Sequence, residues 1–355
     1  MKSKHVSVGI AVVAAMALTL SACASQNGGA DSELTEVVFA QPTPESVIFW
    51  PSYVGDELGY FADEGIKFQL APASETLSMA AFVTNGSALI ASAGASEVLF
   101  STREGGEVTV LMDWWTKSAE GVVTLAGSGI DSLEDLEGLK VGVASEEDET
   151  FLAIALGFAG LSLDDVETVV TGAAGATTAD ALRKGNISAF SGAVSDFAAL
   201  KAAGVDLLDI TPEDISATPA GSMVVDSAKF KENPDLIIGF LRAYAKATYA
   251  GLYDPDAMQA MGIKRVPEEW TDVKAGRALQ DVVAESVTPD DPARIGDVRS
   301  SVWETAQRQL VAVGELSEEQ DLSQILDQSI IEKINDWDRA EVEADVLAWW
   351  EANPE

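Results

Sequence analysis

Two distant segments of the chain carry polar side chains at the same offsets. Residues 86–97 align without gaps on residues 185–196, and in both an apolar run ends in small and polar residues that begin a helix. The matched polar pairs are Ser92 with Ser191, Ser96 with Ser195, and Glu97 with Asp196. Helix starts present unpaired backbone N–H groups, which hydroxyl side chains supplement. All of these residues except Glu97 are candidate contacts to a small ligand, bound reversibly from two sides.

A second, looser correspondence adds four candidates. Residues 39–41 correspond to 143–145, and residues 45–46 correspond to 149–150. The candidate ligand contacts that it adds are Gln41, Ser46, Ser145 and Thr150. Each hydroxyl could instead serve only as a helix N-cap. We favour a shared ligand site, because caps alone require no match between two halves of a chain.

Aromatic side chains supply a second kind of candidate contact. Trp114 and Trp115 follow a predicted strand at 108–112, and adjacent residues of an extended segment point in opposite directions. Only one of the two is therefore expected to face a ligand, where its ring would stack a flat group or hold a cation. The alternative is that both are core residues. Trp50, next to Phe49, is a further candidate.

The residues that are missing exclude most catalysis. The single histidine is His5 and the single cysteine is Cys23, so both lie at the N-terminal end of the chain. A signal peptide, predicted below, would remove His5 from the mature protein. Ser-His-Asp catalysis, Cys-His catalysis and His-ligated metal sites are then impossible. We therefore predict a protein that is not an enzyme, with no catalytic residue, metal or cofactor.

The N-terminus has the pattern of a secreted lipoprotein. Lys2 and Lys4 precede an apolar run over 6–20, which is too short to span a bilayer but suits a signal peptide. Residues 20–23, Leu-Ser-Ala-Cys, resemble a bacterial lipobox. We predict a signal peptide at 1–22, acylation of Cys23 by chains such as palmitate, and a flexible tether over 23–33. A secretory signal with an unrelated cysteine is the alternative.

The chain is strongly acidic. It has 58 Asp and Glu against 22 Lys and Arg, for a formal net charge of −36. Such a charge repels the phosphates of nucleic acids and of anionic lipids, so we expect no nucleic-acid partner. The excess is spread along the whole chain, and its simplest interpretation is solubility.

Strand and helix patterns alternate through the first two thirds of the chain. Residues 130–145 predict a capped helical turn that begins at Ser132 and ends at Gly138, a strand over 139–143 and a helix that starts near Thr150. We expect the chain to cross into this second part over 121–126 and to return in a strand over 220–225. From Pro234 onward the pattern is helical.

The string Leu-Gly-Tyr-Phe-Ala-Asp-Glu-Gly-Ile at 58–66, together with residues 130–145, resembles the solute-binding proteins of ABC importers. The resemblance is to the group that binds alkanesulfonates, nitrate, taurine and thiamine precursors. It implies an α/β periplasmic-binding-protein fold of two lobes with two chain crossings and a helical C-terminal region. Lobe 1 would comprise 34–125 and 218–355, and lobe 2 would comprise 126–217.

The function that the resemblance implies is capture of a small solute and its delivery to an ABC permease. The protein would be an extracytoplasmic monomer, anchored to the cell membrane through the lipid on Cys23. One alternative is a sensing receptor lobe that is not coupled to transport. Another is an enzyme similar to pyrimidine-precursor synthases of the same fold, which depend on histidine.

The loops also carry an expectation about ligand charge. No Lys or Arg occurs in 41–46, 92–96, 145–150 or 191–196, and Lys117 is the nearest basic residue. Carboxylates instead occur at Glu97, Asp113, Asp196 and 146–149. We therefore expect a neutral or cationic ligand with a flat or methylated part, although helix N–H groups favour anions. We also expect Ser92→Ala and Ser191→Ala each to weaken binding by roughly 1 kcal/mol.

Overall fold

The computed structural model describes residues 34–72, 77–312 and 314–354. The predicted signal peptide (1–22), the predicted lipidation site Cys23 and the predicted tether (23–33) lie outside these ranges. Within them, every helix is too short or too polar to traverse a bilayer.

The described residues form two five-stranded mixed sheets. The strands of the first sheet are β1 (Thr35–Ala40), β2 (Ile66–Leu70), β3 (Ile90–Ala93), β4 (Val108–Trp115) and β10 (Gly221–Asp226). Their order is β2-β1-β3-β10-β4. Strands β1, β2 and β3 run parallel, and β10 lies antiparallel between β3 and β4. The carboxyl ends of β1, β3 and β4 therefore lie at one edge of this sheet.

The second sheet is formed by the intervening residues. Its strands are β5 (Glu120–Leu125), β6 (Lys140–Val143), β7 (Glu167–Val170), β8 (Ala189–Ala193) and β9 (Leu207–Asp209). Their order is β7-β6-β8-β5-β9. Strand β5 runs antiparallel to β8, so it starts at the edge where the parallel strands β6, β7 and β8 end.

Helices cover both sheets. Those of the first two thirds of the chain are α1 (Trp50–Glu57), α2 (Tyr60–Asp63), α3 (Met79–Thr84), α4 (Ala95–Arg103), α5 (Glu146–Phe158), α6 (Ala176–Arg183), α7 (Val194–Ala202) and α8 (Glu213–Ser216). Those that follow β10 are α9 (Ser227–Glu232), α10 (Pro234–Tyr253), α11 (Pro255–Arg265), α12 (Val273–Val287), α13 (Ser300–Ala312), α14 (Ile331–Ile334) and α15 (Arg339–Ala352). Single 3-10 turns occur at Val47–Phe49, Leu133–Leu136, Leu163–Asp165, Pro267–Trp270 and Leu322–Gln324.

The predicted turn at 132–138 is confirmed. Ser132 and Asp135 form a capping box, Leu133 and Leu136 are buried, and Gly138 has a φ of 74° that ends the turn. The helix that follows β6 begins at Glu146 rather than near Thr150, because Ser145 is its N-cap and accepts a hydrogen bond from Asp148 N.

The predicted first crossing is wrong. Residues 120–125 were assigned to lobe 1, with the crossing at 121–126, but they form β5 and pair with β8 of the second sheet. The two sheets are instead joined by residues 116–119 (the first crossing) and 210–220 (the second crossing).

Alternate residues of each strand pack into different cores. On one face of the first sheet, Phe39 and Met223 pack with α1, α10 and α12 around Trp50 and Tyr244. On the other face, α3, α4 and α13 form a smaller core. The second sheet is covered by α5 on one face and by α6 and α7 on the other. Both sheets therefore have helices on both faces, which leaves their edges and loops to form a site.

Candidate functional site

The carboxyl edges of the two sheets meet at the crossings. The first crossing joins the end of β4 to the start of β5, and the second crossing returns to β10 at the same edge. Backbone hydrogen bonds tie this region together: Ser118 N donates to Ser216 O at 2.8 Å, and Val194 N donates to Ala119 O at 2.8 Å. In open α/β sheets, ligands bind beyond the carboxyl ends of the strands. The loops at these edges are therefore the candidate site.

Gln41 and Ser46 organise the loop between β1 and α1. The Gln41 amide donates to Thr43 O at 3.1 Å and to Pro44 O at 3.0 Å, and its oxygen accepts from Ser52 Oγ at 3.3 Å. Ser46 Oγ accepts from Ile48 N at 3.1 Å. Both side chains are buried, and their polar atoms hold the shape of this loop.

Trp50 was predicted to contact a ligand, and the structure corrects that prediction. Its side chain is fully buried in the core between α1 and α10, where it packs against the backbone of Gly251. The missing side chain of Gly251 makes room for the indole. Because Trp50 and Gly251 are far apart in the sequence, no local pattern predicts this contact.

Trp114 and Trp115 both lie in the interior, so neither faces an open cleft in this structure, and contact of either ring with a ligand stays a prediction. Strand β4 extends through both residues, and their side chains are only 1% and 4% exposed. Their rings meet edge to face at 5.4 Å, and Phe49 lies 5.1 Å from Trp114 and 6.5 Å from Trp115. Trp114 Nε1 donates to Ser92 Oγ at 2.8 Å, whereas the buried Trp115 Nε1 has no hydrogen-bond partner.

At the second edge, Asp148 connects two of the predicted serines. Ser145 Oγ donates to Asp148 Oδ2 at 2.6 Å, and Ser191 Oγ donates to Asp148 O at 3.1 Å. Ser191 is fully buried, while Ser145 and Thr150 are exposed. The sequence places Asp148 in the acidic run 146–149 but does not indicate its contact with Ser191, because only the fold brings the two residues together.

The matched pair Ser96 and Ser195 is exposed at equivalent positions. Each is the second residue of its helix, α4 or α7, directly after a strand. The other matched serines, Ser92 and Ser191, are buried inside the strands β3 and β8. The pseudo-repeat therefore separates into an exposed pair of hydroxyls and a buried pair that makes internal hydrogen bonds.

The carboxylates expected to attract a cation have other partners. Glu97 accepts from Ala80 N at 3.0 Å, and Asp196 accepts from Ala174 N at 2.7 Å and from Ala193 N at 3.1 Å. Glu97 thus ties the start of α4 to the start of α3, and Asp196 ties the start of α7 to the loop before α6. Burial raises the pKa of Glu97, against the opposing effect of its backbone hydrogen bonds. Neither carboxylate is a free site for an amine, and this part of the ligand-charge argument is wrong.

Asp113 is also directed inward. It is completely buried, accepts from Ser222 Oγ at 2.6 Å and from Trp303 Nε1 at 3.1 Å, and its pKa is raised by burial to about 6. Its position beside Trp114 in the sequence places it on the opposite face of β4. It is a core carboxylate rather than a contact to a bound cation.

Two cavities adjoin the crossings. One, of about 240 Å³, is bordered by the start of α4, both crossings and α13; it includes Ser96, Thr218 and Gln309. The other, of about 360 Å³, lies between α7 and α12 and includes Lys117. Lys201 of α7 forms an ion pair with Glu285 of α12 at 3.3 Å beside it. Thr218, in the second crossing, and Gln309, on α13, have no signal in the sequence, because only the fold brings them to this edge.

The charge pattern gives no sign of a metal centre. Within residues 34–72, 77–312 and 314–354, no cluster of three or more His, Cys, Asp or Glu is arranged to hold a metal ion.

A protein-family model described as NMT1/THI5 like matches residues 47–258. The chain belongs to the NMT1/THI5-like family. The matched residues include the strands β2 to β10 and both crossings. The start of the loop between β1 and α1 and everything beyond residue 258 lie outside the match.

Relatives of this NMT1/THI5-like chain include solute-binding proteins. The riboflavin-binding protein RibY of Chloroflexus aurantiacus is 24% identical over 242 residues, which cover 67% of this chain and 69% of RibY. The structure is also similar to the putative sulfonate-binding protein SsuA of Methylobacillus flagellatus, with a TM-score of 0.58 and 19% identity over 91% of this chain and 96% of that one.

Further structural relatives extend the range of functions found on this fold. SsuA of Escherichia coli has a TM-score of 0.57 at 16% identity, over 83% of this chain and 92% of that one. The desulfurization enzyme DSZB has a TM-score of 0.53 at 16% identity, over 84% and 98%. The predicted α/β periplasmic-binding-protein fold and the predicted family resemblance are confirmed.

Proposed function

We propose that the protein is an extracytoplasmic solute-binding lipoprotein, anchored through Cys23, that delivers a small molecule to an ABC permease. Membership of the NMT1/THI5-like family and similarity to RibY support a binding role. The single observation that carries the proposal is the meeting of two carboxyl edges at two short crossings. This arrangement suits capture of a ligand by closure of two lobes about a hinge.

The lobes of this proposal are built around the two sheets. Lobe 2 comprises β5 to β9 with α5 to α7, and lobe 1 comprises the described residues outside lobe 2 and the two crossings. Helix α8 lies in the second crossing. Residues 116–119 and 210–220 then form the hinge. This division corrects the first boundary expected from the sequence and keeps the two-crossing arrangement.

The proposed direct contacts are the exposed hydroxyls at the helix starts. Ser96 and Ser195 hold matched positions, Ser145 is the N-cap of α5, and Thr150 begins the second turn of that helix. The proposed supporting residues lie deeper, where they are buried or half-buried: Gln41, Ser46, Ser92, Ser191 and Asp196. Trp114 and Trp115, with Phe49, would form an aromatic wall behind the loops.

We propose a flat heteroaromatic solute as the ligand. The relative RibY is named for binding riboflavin. The buried Trp115 Nε1 has no partner in the protein and would be a donor to a heteroatom after a modest movement of the loops. The absence of Lys and Arg from the four loops argues against a sulfonate, which usually has a basic partner. The protein would leave the ligand chemically unchanged, because Cys23 and His5 are the only thiol and imidazole in the chain.

The experiment is a ligand panel on the soluble protein from residue 24. Riboflavin, a thiamine-type aminopyrimidine, choline, taurine and nitrate are compared by thermal shift and then by calorimetry. A ligand that binds the native state raises the melting temperature by mass action. We expect one riboflavin per chain, recovered unmodified by mass spectrometry. Binding of taurine or nitrate alone, or a modified product, would contradict the proposal.

The Ser96→Ala/Ser195→Ala double variant tests the contacts. We expect it to bind riboflavin about 10-fold to 100-fold more weakly, as two neutral hydrogen bonds would predict. The matched control is Ser87→Ala/Ser128→Ala, which removes two hydroxyls far from the carboxyl edges. Equal affinity of all three proteins would remove Ser96 and Ser195 from the site.

A further inference from the structure

Two side chains from beyond the family-matched residues hold the loop between β1 and α1. This loop, residues 41–49, carries Gln41 and Ser46 and ends at Phe49. Arg265 stands at the end of α11, and Glu269 stands in the 3-10 turn that follows. Both lie more than 200 residues from the loop in sequence, since Arg265 is 220 residues from Glu45 and Glu269 is 222 residues from Val47.

Arg265 grips the loop through Glu45. Its Nη2 donates to Glu45 Oε1 at 2.7 Å and its Nε donates to Glu45 Oε2 at 3.2 Å, which is the bidentate geometry that only a guanidinium provides. Its Nη1 donates to Asp56 Oδ2 at 2.7 Å. Arg265 and Glu45 side chains are each 23% exposed, so solvent screens this pair less than the surface pairs. The guanidinium thereby links the loop to the end of α1.

Glu269 fixes the other end of the loop. Its Oε2 accepts from Val47 N at 2.7 Å, while Ser46 Oγ accepts from Ile48 N. The first two N–H groups of the turn Val47–Phe49 have no partner within the turn itself. Glu269 accepts from the first of these N–H groups and Ser46 accepts from the second. The start of the turn is therefore held both by a distant residue and by its own N-cap.

The 3-10 turn Val47–Phe49 sets the position of Phe49 against Trp114 and Trp115. Phe49 is buried, with its ring 6.5 Å from Trp115 and 5.1 Å from Trp114. Because Phe49 closes the turn that Glu269 and Arg265 hold, a shift of the loop moves the aromatic wall. The hydrogen bonds of Arg265 to Glu45 and of Glu269 to Val47 N therefore control the geometry of the carboxyl edge of the first sheet.

We propose that Arg265 and Glu269 are positioning residues that fix the 41–49 loop, and with it Phe49, for ligand capture. The statement about capture rests on the proposed function. The statement about the loop does not, and both residues lie beyond the part of the chain that the family model matches, residues 47–258.

The test compares Arg265→Lys and Glu269→Ala with Arg277→Lys, a control that alters an ion pair with Asp256 and Asp281 away from the loop. Hydrogen exchange is followed in peptides that cover 41–50, with a β-sheet peptide over 221–226 as internal reference. We expect exchange in 41–50 to become about 10-fold faster in both variants, with the reference and the melting temperature nearly unchanged. The lysine of Arg265→Lys does not restore protection, because its ammonium group cannot make the bidentate pair with Glu45.

Each outcome has one meaning. Unchanged exchange in 41–50 in both variants overturns the inference, and so does acceleration that is uniform across the protein, since it reports general destabilisation. Riboflavin affinity is measured on the same proteins, and we expect it to fall about 10-fold in both variants and to stay unchanged in Arg277→Lys. If the loop loosens while riboflavin affinity is retained, the role in capture is overturned. If the wild-type protein itself binds no riboflavin, the proposed ligand fails, and exchange in 41–50 still decides whether these residues position the loop.

Discussion

Trp114 Nε1 donates a hydrogen bond of 2.8 Å to Ser92 Oγ, and both side chains lie in the interior. The sequence placed this serine and this tryptophan at a ligand surface as separate contacts. In the fold they satisfy each other across the neighbouring strands β3, β10 and β4. Ser92 is therefore needed to keep a buried indole N–H paired.

The first prediction concerns this bond. Ser92→Ala leaves the Trp114 N–H buried without an acceptor, so we expect the free energy of unfolding to fall by about 1–3 kcal/mol. Urea denaturation measures it. Ser96→Ala, four residues further on and exposed at the start of α4, is the control and should change stability by less than about 0.5 kcal/mol. Equal stability of the two variants would contradict the prediction.

The second prediction concerns the matched serine of the other sheet. Ser191 Oγ donates to the carbonyl of Asp148, and a carbonyl has a second lone pair for another donor. We expect Ser191→Ala to lower the free energy of unfolding by about 0.5–1.5 kcal/mol, less than Ser92→Ala does. Ser195→Ala is the exposed control in urea denaturation. A larger loss for Ser191→Ala than for Ser92→Ala would show that the two serines are not distinguished in this way.

Local signals were sufficient for much of the fold. Ser132, Asp135 and Gly138 lie within seven residues of one another, and the turn that they predict is formed by local hydrogen bonds. The site depends on distant partners. Trp114 is 22 residues from Ser92, and Arg265 is 220 residues from Glu45. Spacing shows that a hydroxyl or carboxylate stands at a helix start, but only the packed helices show which polar group already occupies it.

The third prediction concerns anchoring. Cys23→Ser should abolish acylation and leave the protein in the soluble fraction, because no acyl chain then remains to hold it in the bilayer. Cell fractionation with a salt wash and mass spectrometry of the N-terminus measure both effects. Ser25→Ala is the control and should remain in the membrane fraction. If Cys23→Ser stays membrane-bound after the wash, the lipoprotein proposal fails.

The fourth prediction concerns the close approach of α1 and α10. A Cβ at Gly251 would overlap the ring of Trp50, and both residues are buried. We expect Gly251→Ala to lower the free energy of unfolding by about 1–3 kcal/mol, because overpacking outweighs the better helix propensity of alanine. The control is Gly157→Ala in α5, where nothing lies within 4 Å of the added Cβ, and which should be neutral or stabilising in the same denaturation experiment. Stabilisation by both substitutions would mean that the helices separate easily.

The fifth prediction follows from Asp113. Burial raises its pKa from 3.8 to about 6, while Ser222 and Trp303 act in the opposite direction through their hydrogen bonds. Between these pH values the folded protein binds more protons at this position than the unfolded chain does. The contribution of Asp113 to the free energy of unfolding is therefore full below pH 3.8 and is lost as pH rises through 6.

Asp113→Asn removes this titration and keeps the hydrogen bonds, since its oxygen can accept from Trp303 Nε1 and its amide can donate to Ser222 Oγ. We expect the free energy of unfolding of the variant, relative to wild type, to rise by about 2 kcal/mol between pH 4 and pH 7, which is most of the full effect of the shift in pKa. Urea denaturation at half-unit steps of pH measures it, with the exposed Asp206→Asn as control. A difference that stays constant with pH would mean that Asp113 keeps an ordinary pKa, and that the polar partners offset its burial.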